Sequence, residues 1–367
     1  MQPVRILVAV VGGAVVLATV VSVVRALVIP RARSGMMSRA VDRAVDAVFQ
    51  FFVRRVTDYE ARDEVLAAQA PAMLVALLAV WLVGFFLGFA LLLWPLTRHI
   101  GIAFRESASS LFTLGFVAPN NNGTTAVDAI EAACGLVVVA LQIAYLPTLY
   151  SAFNRRETEV TLLGARAGAP PWGPELLART RYGMHTRTDD LPTFYGLWER
   201  WAADVAESHA NYPVLVRFRS PQPLSSWLVG LVAVLDSAAL YLALCPAQER
   251  YEVRMALRMG FTALRQIGVA IGVPVTTDPD PDQPLALSYD DYLAGVQRLL
   301  DENFPVERTA ADAWPHFRGW RVNYESIAYA IAYQIDAVPA LWSGPRRWTA
   351  DAIPPRRPPT RIASDAS

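Results

Sequence analysis

Uncharged apolar runs divide this chain into segments. Residues 72–94 and 132–153 carry no charged side chain, and each meets the roughly 20-residue length that a helix needs to cross a bilayer. A third run, residues 6–24, is just long enough. Arg5 precedes it as a basic residue precedes the core of a secretory leader. The core is longer than a leader's, however, and no small-x-small cleavage site follows. It is read as a retained membrane helix.

Between these runs, Val41, Val45, Val48, Phe49 and Phe52 fall three and four apart within residues 38–64. That spacing predicts an amphipathic helix, either lying flat at the membrane surface or packed on protein. Pro71 marks a break before the next run. Gly84-x-x-x-Gly88 allows close helix approach, and Trp81 and Trp94 are candidates for the interfacial belts. Beyond residue 157 the composition shifts. A Gly/Pro-rich linker over 164–174 leads to predicted helices over 191–217, 248–272, 288–302 and 310–342, with Ser288 and Asp291 forming a capping box. Residues 278–284 are a loop, and the Pro/Arg/Ser-rich stretch 354–367 is expected to be disordered.

Residues 225–244 are almost wholly apolar around Asp236. An Asp costs about 2.5–3.5 kcal/mol at the centre of a membrane helix, while each Leu or Val returns about 0.3–0.6. The two sides nearly cancel. The Arg-rich segments on both flanks favour a buried core helix over a fourth span.

Composition narrows the class. Hydrophobic residues make up 54% of 367 and mean hydropathy is +0.28, above the usual soluble range. The net charge is zero, so nothing points to nucleic acid. All 33 basic residues are Arg, which, with the Ala, Val and Pro richness, matches a GC-rich bacterial genome. Two distant cysteines and four scattered histidines predict neither disulfide nor metal site. No cofactor motif is present. Ser208-His209 lacks a nucleophile elbow and a third partner, so no enzyme is expected. Arg25, Arg31, Arg33, Arg39 and Arg43 follow the first run, and Arg155 and Arg156 follow the third. By the positive-inside rule the N-terminus lies outside and the C-terminal domain in the cytoplasm.

The connector between the two longest runs reads Glu106-Ser-Ala-Ser-Ser-Leu-Phe-Thr-Leu-Gly-Phe116. It resembles the pore helix and filter of the potassium-channel superfamily, in which backbone carbonyls of a Thr-Val-Gly-Tyr-Gly signature coordinate dehydrated ions. Thr113, Leu114, Gly115 and Phe116 match its first four positions. Val117 stands where the family has its second Gly, and Ala118-Pro119 replaces the acidic residue that follows. The resemblance covers residues 72–157. It implies a re-entrant loop, four copies around one pore, and monovalent cations as the permeant species, with potassium selectivity weakened by a β-branched residue at 117. Asp128 and Glu131 are candidates for drawing cations to the pore mouth, unless they are ordinary acids near a helix N-terminus. Gly135 is either a gating hinge or a point of close packing. Arg105 and Glu106 are expected to pair locally.

The expected fold is all-α: a helical integral protein of the plasma membrane, with a re-entrant pore loop and an all-helical cytoplasmic domain. Its segments are a membrane helix (1–30), an interfacial helix (31–71), a two-span pore domain (72–157), a helical domain (158–353) and a tail (354–367). The expected function is cation passage through a homo-tetramer in the lipid bilayer. The alternative is a non-conducting scaffold that presents its helical domain to partners.

Overall fold

The computed structural model describes residues 2–29, 35–97, 99–181, 190–248 and 250–357. Among these the fold is all-α, with thirteen α-helices, two short 3-10 turns and no strand. Arg31, Arg33 and residues 358–367 of the expected tail lie outside the described residues. The chain forms two compact units, residues 1–53 with 68–151, and residues 54–67 with 152–367. Four stretches are long and apolar enough to cross a membrane: Pro3–Leu27, Tyr59–Leu93, Asn122–Ala167 and Trp227–Leu244. Their number and composition are compatible with a multi-pass membrane protein.

The first unit contains α1 (Gln2–Leu27), α2 (Met36–Val53), α4 (Gln69–Leu93), α5 (Ile100–Leu111) and the start of α6 (Asn122–Ala167). Helices α1 and α4 meet through glycine. A Cβ on Gly12 would stand 2.6 Å from the Gly88 carbonyl oxygen, and one on Gly88 would stand 2.7 Å from Val16 Cγ2. The Gly84-x-x-x-Gly88 pattern thus finds its partner in α1. Trp81 does not mark an interface: it is fully buried and donates its indole N–H to Ser22 Oγ at 3.0 Å. Pro71 falls within the first turn of α4, where its missing N–H has no helical acceptor to serve. Outside this core, Leu7, Val10 and Leu17 of α1, Val75 and Val83 of α4, and Leu136 and Ile143 of α6 are exposed.

The expected helix over 38–64 divides. Helix α2 ends at Val53, and Asp58 accepts from the Ala61 N–H at 2.9 Å to start α3 (Tyr59–Ala67). Helix α3 belongs to the second unit, where Arg62 donates to Asp336 at 2.8 Å. The apolar face of α2 leaves Val48, Phe51 and Phe52 exposed.

In the second unit, α7 (Gly173–Arg179), α8 (Leu191–Asn211), α10 (Tyr251–Ile271), α11 (Tyr289–Asp301), α12 (Ala310–Arg321) and α13 (Glu325–Ile335) accompany α9 (Trp227–Leu244). Every residue of α9 is buried within this unit, whereas the other three apolar stretches bury 22–33% of their most apolar window. Asp236 in α9 is ion-paired with the buried Arg321 and accepts from Tyr324 Oη at 2.6 Å. A buried carboxylate with a guanidinium and a phenol as partners belongs in a protein core rather than in lipid.

The segment 164–174 does not act as a loose linker. Helix α6 runs to Ala167, and residues 170–178 are buried. The tail's first residues are likewise held, Arg356 donating its N–H to Ala169 O at 2.9 Å. The Ser288 cap forms as expected, accepting from Asp291 N at 3.0 Å. The stretch 310–342 breaks between α12 and α13 at residues 322–324.

Candidate functional site

Helix α5 ends in a backbone motif that fixes the loop after it. Thr113 N donates to Ser110 O at 3.0 Å and Leu114 N to Ser109 O at 2.8 Å, with Thr113 at φ 52°. This pair of bonds around a left-handed residue is a Schellman stop. Its left-handed position normally takes Gly, and a β-branched residue there is strained by about 1–2 kcal/mol. Gly115 follows at φ 69°, and its N–H reaches Ser109 O at 3.5 Å. Val117 N donates to Ser109 Oγ at 3.1 Å.

These bonds orient the loop's carbonyls. The one cis peptide among the described residues is Ala169–Pro170, so the loop peptides are trans, with N–H and C=O pointing opposite ways. The N–H groups of Leu114, Gly115 and Val117 all turn toward Ser109. The carbonyls of Thr113, Leu114 and Phe116, which share those peptide planes, therefore turn away from α5. The side chains of Phe112, Leu114 and Phe116 are all more than half exposed.

Behind the loop, acidic and hydroxyl groups gather between α5 and α6. Ser107 Oγ lies 2.5 Å from Glu131 Oε1 and 3.0 Å from Phe86 O on α4, and its single proton serves one acceptor at a time. Glu106 faces Asp128 and Thr124 rather than Arg105, which is exposed. Thr124 already donates to Asn121 O at 3.0 Å, and both Glu106 oxygens are left without a hydrogen-bond partner. Asp128 Oδ1 and Glu131 Oε2 are also unpartnered. Glu106 and Glu131 are fully buried and Asp128 partly so. Buried carboxyl oxygens without donors are costly to keep ionised unless a proton or a cation joins them. Among the described residues, however, no group of three His, Cys, Asp or Glu is placed to hold a metal ion.

Gly135 sits where α6 passes the end of α5. A Cβ there would stand 2.4 Å from Leu111 O and 3.0 Å from Leu111 Cδ1, so the absent side chain is what admits the approach. Helix α6 continues through this position, and its helix-disrupting residue is Pro147.

Sequence reasoning did not single out Ser109. The available signal was the polar run Ser107-Ala-Ser-Ser110 between two apolar stretches. Nor did it anticipate the fate of Arg156, read as part of a charged membrane edge. Arg156 is fully buried in the second unit, donating to Leu215 O and Phe218 O, each at 2.8 Å, and lying 3.0 Å from His209 Nε2. Because a guanidinium only donates, Nε2 accepts and the imidazole is neutral. Burial, then the Arg156 charge, hold His209 well below its ordinary pKa. The Ser208 hydroxyl donates to Asp204 O at 2.7 Å and also lies 3.1 Å from His209 Nδ1.

No protein-family model matches this chain, and neither a curated protein nor a solved structure shows significant similarity to it.

Proposed function

We propose that the first unit forms a cation pore in a multi-pass protein of the plasma membrane. Helices α1, α4 and α6 cross the bilayer, and α5 with its loop re-enters it. The N-terminus lies outside, the second unit is cytoplasmic, and α2 rests its exposed apolar face in the membrane interface. Four copies bring their loops together around one axis, as the family resemblance implies.

One observation carries this reading: the N–H groups of Leu114, Gly115 and Val117, all turned to Ser109, aim the carbonyls of Thr113, Leu114 and Phe116 away from α5. Outward carbonyls are the ligands that replace a cation's hydration shell. Val117, restricted in φ where a second Gly would be free, argues for weak discrimination between potassium and sodium. Purified protein in liposomes should pass monovalent cations, and Gly115→Ala should abolish the flux by denying the left-handed φ. Absence of flux from wild-type protein in several lipid compositions would refute the pore.

A non-conducting scaffold is the second reading. The Schellman stop accounts for the left-handed Thr113 as a helix cap, with no ion required, and the exposed Phe112, Leu114 and Phe116 then serve as a contact surface.

A further inference from the structure

We propose that Ser109 is the positioning residue that fixes which way the loop's carbonyls face, and that its hydroxyl sets ion discrimination. The consequence for ions rests on the pore reading; the geometry does not. Ser109 is almost fully buried and binds the loop twice. Its carbonyl holds Leu114 N and Gly115 N, while its hydroxyl alone holds Val117 N at 3.1 Å. The peptide between Phe116 and Val117 therefore depends on one side-chain oxygen. Without it that peptide is free to rotate, and the Phe116 carbonyl loses its direction. The earlier peptides keep their backbone anchor. Val117 itself cannot substitute for the lost bond, because a β-branched side chain narrows the backbone choices without supplying a hydrogen-bonding group.

The two anchors, carbonyl and hydroxyl, are separable by mutation. Ser109→Ala deletes the bond to Val117 and leaves that to Leu114; Ser109→Thr keeps a hydroxyl on the same carbon. Hydrogen exchange of the full-length protein in lipid nanodiscs reads the loop directly, and liposome flux of potassium against sodium reads its consequence. Ser109→Ala should speed exchange at Val117 by about three- to tenfold, the weight of one modest hydrogen bond, with α4 and α6 unchanged. Its potassium-to-sodium flux ratio should fall, and Ser109→Thr should restore both. Unchanged exchange at Val117, or equal loosening of α4 and α6, would overturn the positioning role. A flux ratio untouched while exchange rises would overturn its role in discrimination. If wild-type protein passes no cation, the pore reading fails, and the exchange data still decide whether Ser109 holds the loop.

Discussion

Replacing Gly135 by Ala separates close packing from hinge motion by the sign of its effect. In a helix interior with free space, Gly to Ala stabilises by about 0.5–1 kcal/mol, because Ala has less backbone freedom to lose. At Gly135 the new methyl would meet Leu111 O at 2.4 Å and Leu111 Cδ1 at 3.0 Å. The first contact is backbone at the last turn of α5 and cannot move without carrying the Schellman stop with it. Overpacking of this kind costs about 1–3 kcal/mol, which outweighs the propensity gain. Gly135→Ala should therefore destabilise the first unit by about 1–2 kcal/mol and loosen the loop at 112–117. Gly13→Ala is the control: it lies in a helix of the same unit, and its nearest neighbour, Leu92 Cδ2, would be an ordinary 3.8 Å away. It should stabilise, while its neighbour Gly12→Ala, facing Gly88 O at 2.6 Å, should destabilise. Denaturant midpoints in mild detergent measure all three, with hydrogen exchange locating the change. If Gly135→Ala stabilises as Gly13→Ala does, the contact with Leu111 is not limiting and the close-packing account is wrong.

Thr113→Gly should stabilise the end of α5 by about 1 kcal/mol, since Gly occupies the left-handed position without strain; an unchanged or lower denaturant midpoint would contradict the cap geometry. Arg321→Met should cost about 3–5 kcal/mol by stranding Asp236 in the core, and adding Asp236→Leu should recover part of that loss, which a double-mutant cycle in denaturant measures. His209 is held neutral in the fold, its pKa below the unfolded value of about 6.5. Its contribution is complete above that pH and is lost as pH falls from there toward the folded pKa. His209→Gln should flatten the fall in second-unit stability between pH 7.5 and 5 relative to wild type, as read by thermal melts, and an unaltered slope would remove His209 as its source.

The sequence by itself determined the features that short-range rules govern. The apolar runs at 6–24, 72–94 and 132–153 became α1, α4 and α6, because length and uninterrupted apolarity suffice to specify such helices. Ser288 capped α11 because its partner stands three residues away. The tertiary structure decided what depends on partners distant in the chain. Asp236 left α9 undecided between lipid and core until Arg321, 85 residues on, supplied its counter-charge. The segment 164–174 reads as a linker by composition, yet the second unit closes over it. Trp81 and Arg156 carry the marks of membrane edges and are buried instead, one bonded to Ser22 and the other to two distant carbonyls. At the candidate site the order Thr113 to Val117 was legible, but the direction of its carbonyls was not. That direction is set by where the N–H groups find acceptors, and Ser109 supplies them once α5 stops and the chain turns back on it.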